Sequence, residues 1–156
     1  MKQLQKSTTR RRGAAAVEAA LVLPLLIAFL FGIVEYSRYL TTMSMLRNAA
    51  RQGAEYAAIH TSSIFLNGTN YGNATADVTS IVDNVLGGNQ ALSGRTINLF
   101  LSDSTGNNLG NWASAETGKY VCLQIQGDYK FFLSGMLALP ASMTLTVQAV
   151  RRSEGN

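Results

Sequence analysis

The sequence predicts an α+β fold: a long N-terminal transmembrane and amphipathic helix, then a small domain with a second helix and an antiparallel sheet of three or four strands. It rests on an unbroken apolar run behind a basic leader, a stripe of small and apolar residues at helical spacing, and short segments of period-two alternation between Gly/Asn/Ser-rich turns. The chain has 156 residues, 47% of them hydrophobic and only 14% charged, where soluble domains carry about 25% charged residues. This composition excludes a highly charged disordered chain and a coiled-coil rod. The single cysteine excludes an internal disulfide framework and a cysteine-based zinc site.

Charge divides along the chain. Lys2, Lys6, Arg10, Arg11 and Arg12 give residues 1–13 a charge of +5 with no acid, and the rest of the chain is close to neutral. The overall +4 is therefore a leader property and does not point to nucleic acid. Residues 14–34 are apolar apart from Glu18, and at about 1.5 Å per residue they span roughly 31 Å, the thickness of a bilayer core. A fully buried helix of a soluble protein is the alternative, but the remaining residues are too few to wrap it on all sides. A cleavable secretory signal fits less well, because the run is long and Phe31-Gly32-Ile33-Val34-Glu35 is a poor cleavage site. A twin-arginine signal lacks its bulky residues, since Gly13-Ala14-Ala15 follows Arg10-Arg11-Arg12. The positive-inside rule keeps the N-terminus in the cytoplasm and sends the body outside, with Tyr36 and Tyr39 at the outer interface. The expected organisation is a cytoplasmic leader at 1–13, a transmembrane helix at 14–34 and an extracytoplasmic domain at 35–156.

The junction is the informative element. Gly13 stands immediately before the apolar stretch and Glu18 five residues later, within Arg12-Gly13-Ala14-Ala15-Ala16-Val17-Glu18-Ala19-Ala20-Leu21-Val22-Leu23-Pro24-Leu25-Leu26. This run resembles the prepilin-type leader of the TadE-like family of pseudopilins, or minor pilins, of the tight-adherence (Flp-type) pilus. Phe31-Gly32-Ile33-Val34-Glu35-Tyr36, Ala49-Ala50-Arg51-Gln52-Gly53-Ala54 and the closing Ala149-Val150-Arg151-Arg152-Ser153-Glu154 extend the resemblance. Related leaders often carry an aromatic residue after the glutamate, and here Ala19 stands there. The resemblance implies cleavage between Gly13 and Ala14 by a prepilin peptidase, and a role for Glu18 in subunit assembly. It implies partners among pilin subunits and inner-membrane pilus-assembly proteins, and a place in the bacterial inner membrane or in the pilus itself. No cofactor, small-molecule substrate or nucleic acid is implied.

Physical chemistry gives Glu18 a role of its own. An ionised carboxylate in apolar surroundings costs several kcal/mol unless paired, and Glu18 lies one helical turn from Ala14, whose amino group becomes a cation if the chain is cut after Gly13. The alternative is that Glu18 snorkels to the headgroups beside Arg12. Pro24 removes a backbone hydrogen bond inside the span and predicts a kink or a locally unwound turn there.

Beyond the span, Tyr36, Tyr39, Leu40, Met43, Leu46, Ala50, Gly53, Ala54 and Ala57 recur at three- and four-residue steps, so the helix continues to about Ile59. That stripe is either the helix's own domain contact or a seam between subunits, and Arg51 and Glu55 are placed to pair along the helix. Residues 61–73 carry turn chemistry, with Asn-x-Thr triplets at Asn67 and Asn73 that mean little in the bacterial setting the resemblance implies. Residues 75–86 form a second helix with Thr75 as cap and Gly87-Gly88 as stop. Residues 97–101, 120–126, 128–133 and 143–150 read as strands, the last with Met143, Leu145, Val147 and Ala149 on one face.

No catalytic constellation is present. His60 is the only histidine and reads as a helix-end residue. Cys122 reads as a small core hydrophobe, with an intermolecular disulfide as the sharper alternative. Asp103-x-Thr105-x-Asn107 faintly echoes a calcium loop, but Ser114 stands where the bidentate acid belongs, so a plain loop is expected and no metal site. Two function classes remain: a peptidase-processed pseudopilin, and an uncleaved single-span scaffold or binding module of an envelope assembly.

Overall fold

A computed structural model describes residues 9–60, 74–87, 92–112, 115–137 and 140–154. The elements are α1 (Thr9–Ile59), α2 (Ala74–Leu86), β1 (Leu92–Ser102), β2 (Asn108–Asn111), β3 (Tyr120–Lys130), α3 (Ser134–Leu137) and β4 (Ser142–Arg152). The fold class is α+β as the sequence predicts, with a curled four-stranded antiparallel sheet in the order β2-β1-β3-β4. The chain separates into two units, Met1–Ser37 and Arg38–Asn156.

In the first unit α1 presents its apolar side chains outward on all sides: Leu21, Leu25 and Phe29 are each about 70% exposed. The helix runs through Pro24. Ser37 satisfies its hydroxyl locally, donating to the Ile33 carbonyl at 2.9 Å.

In the second unit the small-residue stripe of α1 is core. Leu46, Ala49, Ala50, Ala54 and Ala57 are fully buried, in one cluster with Val78, Val82 and Leu86 of α2 and with Val121, Leu123, Ile125, Leu145 and Val147 of the sheet. Residues this small let backbones approach. A Cβ on Gly53 would overlap the Leu123 side chain and lie 3.1 Å from Val82 Cγ2, so α1, α2 and β3 converge on that glycine. Each fully buried Leu, Ile or Val contributes about 1.5–3 kcal/mol relative to exposure. At one end Tyr39 meets Tyr129 edge-on at 5.9 Å, and Tyr129 meets Phe131 edge-on at 5.2 Å.

Period-two geometry then sorts the strands. Leu123 of β3 pairs with Leu99 and Ala149, and Ile125 with Ile97 and Val147, which puts all of these on the helix side. The alternation read in β4 is found, with Leu145 and Val147 buried, although Met143 at its start is 39% exposed. On the other face Gln124 pairs with Asn98 and Gln148, and Cys122 with Phe100 and Val150.

Three local expectations are corrected and one strand is added. The segments 120–126 and 128–133 merge into one strand that ends at Lys130, because the chain runs straight through Gly127. That glycine pairs with Leu145, and its missing side chain makes room for Leu92, whose Cγ a Cβ would meet at 3.0 Å. β2 has no apolar alternation to betray it; register against β1 defines it. Thr75 lies inside the first turn of α2 rather than capping it. Glu55 pairs with Arg151 of β4 at 2.9 Å rather than with Arg51. The expected stop of α2 holds at Gly87, whose N–H donates to the Asp83 carbonyl at 2.8 Å with φ +48°. The turn expected at 61–73 and Gly88 lie outside the described residues.

Candidate processing and assembly site

The residues singled out at the N-terminal junction all fall on α1. Arg10, Arg11, Arg12, Gly13, Ala14, Glu18 and Pro24 are helical; the leader before Thr9 and the side chains of residues 9–12 lie outside the described residues. Gly13 is exposed, and a Cβ built on it meets nothing within 4 Å. Gly13 is thus the fifth residue of α1 rather than part of an extended segment. Helix ends lack partners for their first N–H groups and are the cheapest turns to unwind. Gly13 lies just past that first turn, and as a glycine it lowers the cost of carrying the unwinding on to the Gly13–Ala14 bond by ~0.5–1 kcal/mol relative to alanine.

From Ala14 through Ala20 every residue is exposed, Glu18 included. Four residues of helix separate Ala14 from Glu18, an axial rise of about 6 Å, so the structure brings the two onto the same side one turn apart. Six residues on, Pro24 supplies no N–H to the Ala20 carbonyl, which is left without its helical partner. The apolar side chains around these positions, Val17, Leu21, Val22 and Leu23, are each more than half exposed, whereas a soluble monomer rarely leaves so contiguous an apolar surface in water. The helix from Gly13 onward is long and apolar enough to cross a membrane, and this fits a membrane-anchored protein.

The other chemically suggestive residues are accounted for locally. His60 caps α1: its Nδ1–H donates to the Tyr56 carbonyl at 2.8 Å and its ring stacks on Tyr56 at 3.9 Å. The Tyr56 hydroxyl donates to Asp77 Oδ2 at 3.5 Å, and burial together with that carboxylate holds the phenol above its ordinary pKa. Cys122 is fully buried, and burial pushes its thiol up. Asp103, Thr105 and Asn107 do converge, but on one another. Asp103 Oδ1 accepts from the Thr105 hydroxyl at 2.6 Å, the Thr105 N–H at 2.8 Å and the Asn107 N–H at 2.9 Å, while Oδ2 accepts from the Asn107 amide at 2.8 Å. These donors hold the carboxyl well below the usual carboxylate range. The triad is a turn lock. Among the described residues no group of three or more His, Cys, Asp and Glu could hold a metal ion.

One feature had no sequence signal. Tyr39, Leu40, Met43, Arg47 and Arg51 of α1 line a groove of about 670 Å³ with Val147 to Arg151 of β4. Spacing along α1 places the two arginines one turn apart, but only the sheet order reveals that a strand lies beside them.

Comparison with known families finds that a family model described as TadE-like protein matches residues 13–55. The matched segment opens on Gly13 and closes on Glu55, as the junction run and the post-span segment led one to expect. That family is a structural component of pili and not a family of enzymes. No curated protein and no solved structure matches the chain.

Proposed function

We propose that this chain, with its TadE-like segment at residues 13–55, is a pseudopilin or minor pilin of a Flp-type (tight adherence) pilus, processed by a prepilin peptidase. The observation that carries the reading is the junction: an unobstructed glycine directly before an outward-apolar helix, with a carboxylate one turn beyond the residue that becomes the new N-terminus. Arg10, Arg11 and Arg12 keep the leader in the cytoplasm, residues 14–34 cross the inner membrane, and residues 35–156 lie outside.

The peptidase unwinds the start of α1 as far as Ala14 and hydrolyses the Gly13–Ala14 peptide bond. Water supplies the oxygen of the Gly13 carboxylate, and Ala14 leaves as an amine that takes up a proton. The Ala14 ammonium then tops a helix whose N-terminal dipole already favours the Glu18 carboxylate. Glu18 pairs with that cation on its own helix or on a neighbouring subunit, which lowers the cost of a charge in lipid and sets the axial register between helices. Pro24 leaves a carbonyl and a bend that a neighbouring helix accommodates.

The continuous helix through Gly13 favours a second reading, an uncleaved single-span scaffold whose outer domain holds envelope partners, because an intact anchor keeps that turn folded. Mass spectrometry of the protein from cells containing the cognate peptidase separates the two. A chain starting at Ala14 supports the pseudopilin, and a chain starting at Met1 supports the scaffold.

A further inference from the structure

The two edges of the sheet are unalike. β2 is a four-residue edge with glycine inside it, whereas β4 is an eleven-residue edge. Edge strands are normally blunted by shortness, bulges, proline or charge. Between Met143 and Val150 β4 carries no charge and no proline, and its register against β3 runs unbroken from Ser142 to Arg152. The groove described above runs along this edge. Val147 and Ala149 line it from the helix face of the strand, and Gln148 and Val150 from the other, as an open strand edge does. Its opposite wall is α1.

The charge of the groove is positive. Arg47, Arg51 and Arg151 line it, with Glu55 engaging Arg151. Among the described residues Arg47 and Arg51 have no ion-pair partner. The two are one turn apart, an axial step of about 6 Å, and alternate side chains on one face of a strand repeat at about 6.6 Å. Met43 lies one further turn back along the same helix.

We infer that the β4 edge receives an extended acidic strand from a partner protein, which adds a fifth strand to the sheet and presents two carboxylates to Arg51 and Arg47 and an apolar residue to Met43. Backbone pairing supplies affinity, as in other strand additions, and the arginines supply register and selectivity. An antiparallel addition, the more stable pairing, gives the incoming strand the order acidic, any, acidic, any, apolar, because β4 and α1 run in the same sense: Tyr39 meets Tyr129, the register partner of Met143, while Glu55 meets Arg151. The inference does not depend on whether the Gly13–Ala14 bond is cut.

The test uses the full chain in detergent micelles and the capped, labelled peptide Thr-Val-Glu-Val-Glu-Val-Leu-Val-Thr, with binding read by fluorescence anisotropy. Saturable binding is expected. It should weaken by about tenfold or more on Arg47→Glu with Arg51→Glu, and as much with lysine replacing both glutamates of the peptide. A peptide N-methylated at alternate residues, in both phases, should not bind in the phase that removes the N–H groups aimed at β4. Both arginines are exposed, so circular dichroism of the variant should match the parent. No binding by the parent protein overturns the inference, as does binding to the double variant within about twofold of the parent. Equal binding of both N-methylated peptides reduces the site to a charged surface and overturns it too. Self-association by sedimentation that the double variant abolishes places a second copy in the groove and overturns the assignment to a partner protein.

Discussion

Arg151, near the end of β4, donates to Glu55 on α1 at 2.9 Å across 96 positions of sequence. Both side chains are over a third exposed, so the pair contributes no more than about 1 kcal/mol. Its importance is positional. With the Glu154 N–H donating to the Ala58 carbonyl at 3.2 Å, it fixes the end of β4 against the end of α1, while the Ser153 N–H, donating to the Lys119 carbonyl at 2.7 Å, holds it against the start of β3.

The helix face of β4 is the first place to test the core. Val147 is 9% exposed and belongs to the same cluster as Leu46 and Leu123. Val147→Asp places an unpaired carboxylate there, and the cost of several kcal/mol is comparable with the whole stability of a domain, about 5–15 kcal/mol. The second unit should unfold. Trp112, the only tryptophan and 6% exposed, should report this as a red shift of its emission, and an unshifted spectrum would mean the face of β4 is inverted.

At Gly53 two effects oppose. Gly53→Ala gains up to about 1 kcal/mol of helix propensity, but its methyl group enters the space of Leu123, itself fully buried. Overpacking of this kind costs about 1–3 kcal/mol, so the variant should have the lower denaturant midpoint. A raised midpoint would show that Leu123 repacks freely.

The hairpin tip carries a pH signature. Donation from the Thr105 hydroxyl, then from the Asn107 backbone and side chain, depresses the Asp103 pKa in the folded chain. The stabilisation is therefore fully present above the ordinary carboxylate value of about 3.9 and is lost only as pH falls through the depressed one. The amide resonances of Thr105 and Asn107 should hold their positions through the range where exposed carboxylates protonate. In Asp103→Asn, which removes the carboxylate they donate to, the same resonances should be displaced from their wild-type positions already at neutral pH. Movement of the wild-type resonances with an ordinary midpoint would refute the lock.

Size and charge at the N-terminal junction should separate. Gly13→Val adds a branched side chain where the peptidase needs close approach to the backbone, and the full-length precursor should accumulate. Glu18→Gln keeps size and removes charge, so processing should continue while co-purification with pilus-assembly proteins falls. Loss of processing in Glu18→Gln as well would place Glu18 in recognition by the peptidase.

Much of the fold was legible because it rests on local periodicity. Residues 14–34 are apolar apart from Glu18, residues 36–57 repeat apolar and small side chains at helical steps, and Leu145, Val147 and Ala149 alternate cleanly. What was hidden depends on neighbours distant in sequence. Gly127 looks like a turn until Leu92 is seen occupying the space beside it, and β2 exists only through its register with β1. Arg51 has Glu55 at an ideal spacing, yet Glu55 is taken by a strand that sequence could not place beside it. At the junction, residue identity carried the reading, and the structure added that Gly13 begins helical. The groove between α1 and β4 was illegible, since no pattern along the chain states the order of strands in a sheet.

The alanine face of α1 has a bearing on how the protein is made. Ala49, Ala50, Ala54 and Ala57 find their cover in strands that leave the ribosome much later, Val147 about ninety residues after Ala57, or roughly 5 to 20 s at ordinary synthesis rates. Until the strands emerge only α2, made about twenty residues after Ala57, can cover part of that face. Leucines there would offer newly made chains a surface on which to stick, whereas methyl groups expose little area to misuse. The same small side chains that bring α1 close to β3 in the finished molecule leave the unfinished one little apolar area to expose while it waits for β4.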